Sequence, residues 1–275
     1  MIKSMYSAVT GLKGHQTMLD VIGNNIANVN TVGFKSSRVL FKDLYYQTLS
    51  ASSASNEISG GSNPVQIGYG SSVSSIDLLM TRSGYQQTSR TLDLYISGEG
   101  FFVVQDSTGQ DMYTRVGSFK FNPDGTLIDS NGNFVLGQMP SVTDPVVLDK
   151  ITINNFDNYT GMYIDDTGKI MGTNATTQQI ETLGQVVLAN FPNAEGLSQE
   201  GNMCYIETTS SGAAQLTVPS SATTGPLVSG GLEMSNVDLT KEFTDMIVAQ
   251  RGFQANARVI TTSDSVLEEL VNLKR

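Results

Sequence analysis

The chain has 275 residues, enough for one or two domains with a sizeable core. A net charge of −10 argues against a surface for phosphate backbones. With one histidine and one cysteine, there is no room for an intramolecular disulfide, the cysteine metal patterns or a histidine-centred catalytic group with partners of its own kind. Charged residues make up only 15%, against roughly 25% in ordinary globular chains, so neutral polar side chains cover much of the surface and repulsion between copies is weak.

In chain order, the first element is a helix. From Met5 the apolar positions run Ala8, Leu12, Leu19, Ile22, Ile26 and Val29 in steps that fit threes and fours, with His15 in the same series. Met5, Leu12, Leu19 and Ile26 lie seven apart, as in a heptad. Gly11, Gly14 and Gly23 each weaken such a helix by about 1 kcal/mol. His15 is expected at a helix contact, not in catalysis. The opening Met1–Ser7 lacks the apolar run of a cleavable secretory signal, and no stretch approaches the roughly 18 apolar residues of a membrane span.

Residues 31–72 are rich in Gly and Ser without apolar period and are expected to be a linker or extended segment. From 73 to 237 the pattern is that of short antiparallel strands. Leu92–Ile96 alternates and leads through Gly98-Glu99-Gly100 into Phe101–Val104. Acidic glycine turns then follow at Asp106–Gly109, Asn122–Gly125 and Asp165–Gly168, each between apolar runs.

Gly98-Glu99-Gly100 lacks the third glycine and the helix of a dinucleotide loop. Asn122–Thr126 matches a calcium loop for five residues only, with Asn133 where the bidentate Glu belongs. Asn158-Tyr159-Thr160 and Asn174-Ala175-Thr176 fit a glycosylation pattern that carries little without a secretory signal. Cys204 is expected to be a buried, inert thiol. Neither a catalytic group, a cofactor nor a metal site is expected.

The last element is a long helix from about Asp238 to Leu273, with apolar positions at Leu239, Phe243, Met246, Phe253, Ala257, Ile260, Leu267 and Val271. Ser235, Asn236 and Asp238 offer capping oxygens, and Lys274 and Arg275 suit its negative end. A helix of this length with one apolar stripe needs partners. The fold class is therefore α+β. The N- and C-terminal helices (1–30 and 238–275) pair as a coiled-coil stalk, and a central antiparallel β domain (73–237) follows the segment 31–72.

Several blocks carry a family likeness. Gly23-Asn24-Asn25-Ile26-Ala27-Asn28-Val29-Asn30-Thr31-Val32-Gly33-Phe34-Lys35 resembles the N-terminal signature of the bacterial flagellar rod and hook (axial) proteins. Thr91–Phe102, Tyr113–Phe119 with Asp124–Leu127, and Leu232–Leu239 with Met246–Arg251 resemble their later motifs in the same order; Pro140–Thr224 matches least. The motif residues are Asn24, Asn25, Asn28, Thr31, Gly33, Phe34 and Lys35.

The resemblance implies a non-enzymatic structural subunit, most like a compact flagellar hook protein, that polymerises with itself into a helical tube. Its expected neighbours are rod, hook-cap and hook–filament junction proteins. It would be exported by the flagellar apparatus without a cleavable signal and would act outside the cell as a flexible coupling. It implies no nucleic-acid or membrane partner and no cofactor. The assembly seam would run through Met5, Leu12, Leu19, Ile22, Ile26, Leu239, Phe243, Met246, Phe253, Ile260, Leu267 and Val271. A distal rod subunit is the alternative within the family, and a secreted β-rich binding module the alternative outside it. The termini are expected to be disordered in the free monomer and to order on assembly.

Overall fold

The computed structural model describes residues 2–54, 60–139, 148–221 and 223–273, so Lys274 and Arg275 lie outside the described residues. The chain divides into two units. One comprises Met1–Ala27, Ser37–Leu79 and Val237–Arg275; the other comprises Asn28–Ser36 and Met80–Asn236.

In the first unit, helix α1 (Ile2–Ala27) packs along helix α2 (Leu239–Asn272). Asp238 caps α2: its carboxylate accepts from the backbone N–H of Thr240 at 2.9 Å and of Lys241 at 3.4 Å. Within the described residues of the segment 31–72, expected as linker or extended chain, four stretches form paired strands. Strand Ser37–Asp43 pairs antiparallel with Ser71–Leu78, both against α1. Strand Tyr46–Ser50 pairs with Val65–Gly68, and all nine of these residues are exposed. The Ser- and Gly-rich stretches around these strands, and the exposure of most of their side chains, conceal them in the sequence.

The second unit is an antiparallel sheet system. Its longest path runs Tyr159–Ile164, Lys169–Asn174, Ile180–Val186, Phe134–Gln138, Phe101–Gln105, Asp111–Thr114, Cys204–Ile206 and Ser198–Gly201. The three expected acidic glycine turns are hairpin turns: Gly109, Gly125 and Gly168 have φ of 84°, 75° and 78°, and their N–H groups donate to the carbonyls of Asp106, Asn122 and Asp165. Asp129–Gly132 repeats the form.

Gly98-Glu99-Gly100 differs. The strands on either side of it do not pair with each other, because Leu94–Ile96 pairs with Leu227–Ser229. A Cβ on Gly98 would stand 2.6 Å from the Gly225 Cα, so two glycines let these backbones meet. Leu94, Tyr95 and Ile96 are all buried despite their alternating sequence.

The core gathers Leu94, Ile96, Phe102, Phe119, Leu127, Val135, Ile151, Ile170, Val186, Leu188 and Leu227. Cys204 is buried within it. No helix among the described residues is long and apolar enough to cross a membrane.

Candidate functional site

The N-terminal signature divides between the two units, and each part does separate work. In the first unit Asn25 is 1% exposed. Its amide donates to the Ser37 carbonyl at 2.8 Å and its oxygen accepts from the Ser37 N–H at 3.0 Å, so one side chain satisfies both backbone groups where the first strand begins. The same amide reaches Glu242 Oε2 of α2 at 3.2 Å. Burial raises the Glu242 carboxyl above its ordinary range, and the Asn25 hydrogen bond works against that rise.

The helix glycines find their reasons in this unit as well. A Cβ on Gly11 would lie 2.6 Å from Asn256 Nδ2, one on Gly252 would lie 2.5 Å from the His15 ring, and one on Gly14 would lie 3.0 Å from Phe41. Three glycines that cost helix propensity permit close approach of α1, α2 and the first strand. His15 lies at a helix contact, as its place in the apolar series suggested.

In the second unit the signature ends in a fully buried charge. Lys35 is 0% exposed; its Nζ donates to Glu233 Oε1 at 2.6 Å and to the Thr81 carbonyl at 2.8 Å. Glu233, also buried, accepts from the Ser83 N–H at 3.2 Å, and its Oε2 faces Arg115 Nη1 at 3.5 Å. Arg115 donates to the Gly98 carbonyl at 2.9 Å and lies over the Phe101 ring, 5.2 Å from its centre. Two cations thus share one carboxylate away from water. Burial lowers both cationic pKa values, and the Glu233 charge opposes the shift in each case.

Backbone bonds fasten the same place. Gly33 N–H donates to the Glu233 carbonyl at 2.8 Å, Ser36 N–H to Asn236 Oδ1 at 2.7 Å, and Asn236 Nδ2 to Thr81 Oγ1 at 3.0 Å. Gly33 is there for two reasons: its φ is 71°, and a Cβ would press the Val116 methyl at 2.9 Å.

The other motif residues take lesser positions. Thr31 donates to Asn28 Oδ1 at 3.1 Å and closes the turn after α1, Asn24 is exposed, and Phe34 is buried beside a groove of about 280 Å³ that Met203, Cys204 and Tyr205 also line. Sequence alone offers no role for Arg115, Glu233 or Ser83, and it offers Asn236 only as a capping oxygen for α2, whereas Asp238 makes that cap and Asn236 binds Ser36 and Thr81. The available signal was a lone charge, Arg115 or Glu233, set among strand residues.

The seam residues that the family resemblance implies are treated unequally. Ile22 is buried, and Met5, Leu12, Leu19, Ile26, Met246, Ile260 and Leu267 are half-buried. Leu239, Phe243, Phe253 and Val271 are exposed, the last at 69%. Among the described residues of α2 only Ala249 is buried.

Comparison with known proteins accounts for this distribution of motifs. Three family descriptions match in order: "Flagella basal body rod protein" over residues 5–35, "Flagellar hook protein FlgE/F/G D1 domain" over 95–188, and "Flagellar basal body rod FlgEFG protein C-terminal" over 228–273. The chain is 47% identical over 276 residues to the flagellar basal-body rod protein FlgG of Bacillus subtilis, covering 100% of both chains. It is 35% identical to that of Agrobacterium fabrum, over 96% of this chain and 97% of the relative. It is 28% identical to the flagellar hook protein FlgE of Borreliella burgdorferi, in an alignment of 447 residues spanning both chains. Lys35, Arg115 and Glu233 each fall inside one of the three matched segments. The chain belongs to the flagellar basal-body rod and hook protein family.

Proposed function

We propose that this chain is a structural subunit of the distal rod of the flagellar basal body, building a helical homopolymer through its terminal helices. The observation that carries the reading is length. Relatives named as rod proteins align end to end with this chain over 276 and 267 residues, whereas those named as hook proteins need alignments of 447 and 464 residues. The resemblance to a compact hook protein weighs less than a difference of this size.

The geometry supports a polymer. Phe243, Ile247, Val248, Phe253, Val266 and Val271 are exposed around α2, so this helix presents apolar surface in several directions. The Tyr46–Ser50 and Val65–Gly68 pair is a two-stranded ribbon of the kind that is marginal in water, and it exposes Tyr46, Leu49, Val65 and Ile67. We assign both surfaces to contacts between copies and with neighbouring axial proteins, and assign the protein a place outside the cytoplasm after export by the flagellar apparatus.

Electron microscopy of basal bodies from a strain lacking the gene tests the reading. Truncated rods are expected. Complete rods without hooks would return the assignment to the hook.

A further inference from the structure

We propose that the Lys35–Glu233 pair makes docking of the amino-terminal signature on the β unit conditional on the carboxy-terminal segment being in place. The two residues are 198 positions apart, and both are nearly inaccessible to solvent. Lys35 Nζ meets Glu233 and the Thr81 carbonyl, while the neighbouring Gly33 and Ser36 N–H groups bond to Glu233 and Asn236. Burying Lys35 before residues 231–236 have arrived would place two cations, Lys35 and Arg115, in the interior with no carboxylate between them.

The sheet interior has no such dependence. Its core cluster of buried residues runs from Leu94 to Leu227 and draws no member from 28–36 or from 231–236. The β unit therefore contains a sheet that its own hydrophobic residues hold together, and a clasp that closes only when both ends of the unit are present. One carboxylate decides the outcome: Glu233 is shared by two buried cations, so its loss leaves a net charge of +2 that the site cannot hydrate. Loss of Lys35 leaves Arg115 and Glu233 paired.

Amide exchange followed by mass spectrometry on the full chain tests this. In Glu233→Gln, exchange of peptides covering 28–36 should accelerate by roughly a hundredfold or more, the scale of a broken buried pair. Peptides covering 101–105 and 111–114 should keep their protection. In the double variant Lys35→Met with Glu233→Gln, removal of the buried ammonium should restore at least about a tenfold part of the lost protection, because the two substitutions are coupled. The idea is overturned by unchanged exchange at 28–36 in Glu233→Gln. It is overturned equally by loss of sheet protection together with the signature, which includes failure of the variant to fold, or by a double variant no better protected than the single one.

Discussion

Gly252 of α2 lies against the imidazole of His15 of α1, so close that a methyl group on Gly252 would stand 2.5 Å from the ring. Alanine is a better helix former than glycine by about 1 kcal/mol, yet Gly252→Ala should lower stability, since the overlap must be relieved by moving a packed ring or the helix itself at about 1–3 kcal/mol. Gly23→Ala is the control: no atom lies within 4 Å of its Cβ position, and it should stabilise the monomer by about 1 kcal/mol. Urea unfolding followed by helical circular dichroism distinguishes the two, and equal effects would mean that the helices do not approach as described.

Asn25→Ala should destabilise the first unit by about 2–3 kcal/mol. The substitution strips the partners from the Ser37 N–H and carbonyl at once and removes a hydrogen bond that offsets the burial of Glu242. Asn25→Asp keeps the acceptor for Ser37 N–H but loses the donor, and sets a carboxylate beside Glu242, so it should be at least as damaging. Thermal unfolding of the two variants is the measurement, and a loss below about 0.5 kcal/mol for Asn25→Ala would remove the residue from its clamping role.

What sequence revealed and what it concealed divide along physical lines. Periodicity disclosed α1 and α2, because Leu12, Leu19 and Ile26 must share one side of a helix whatever surrounds it. Turn chemistry disclosed the hairpins, since Gly109, Gly125 and Gly168 supply positive φ after an Asp or Asn. Local pattern did not disclose the strands of residues 37–50 and 65–68, whose side chains are mostly exposed or half-buried and so leave no alternation to read. Nor could it pair Lys35 with Glu233, or bring Asn25 to Glu242, across more than 190 residues; a buried ion pair leaves no spacing signal, only unexpected charges in motif positions. Lys35 stands in the motif with no local reason, and its reason is its partner Glu233.

Cys204 should resist alkylation. Burial raises its thiol from an ordinary 9.0 to about 11, so at pH 8 the thiolate fraction falls by roughly a hundredfold even before access is considered. A folded-state pKa raised above the unfolded one means that the proton is held more tightly in the fold. The associated stability is therefore complete below about pH 9 and is lost as pH rises through about 11. Tyr113 and Tyr205, both pushed up to about 12 by burial, extend this loss to higher pH with the same sign. Iodoacetamide labelling at pH 8, native against urea-unfolded, should be slower in the native protein by at least about a hundredfold. Urea midpoints should fall between about pH 9 and pH 12.

The exposed side of α2 offers the sharpest separation of folding from assembly. Ile247 and Val248 are each more than half exposed and lie beside Ala249, the one buried residue described in that helix. Changing both to Asp adds charge where the monomer already meets water, so its stability should change by no more than about 1 kcal/mol. In a polymer the same surface would be covered, and two buried unpaired carboxylates would cost several kcal/mol per subunit. The double variant should thus leave the monomer's circular dichroism unchanged and abolish sedimentable polymer. The same energetics leave α2 held in the free chain by its packing on α1 alone, with one buried side chain and a half-buried stripe in 34 residues, so it should open locally more readily than the β unit. Amides of 239–272 should exchange rapidly in the monomer and slowly in the polymer. Slow exchange in a monomer shown to be monomeric by sedimentation would mean that α1 alone stabilises α2, and that the exposed residues serve some purpose other than holding copies together.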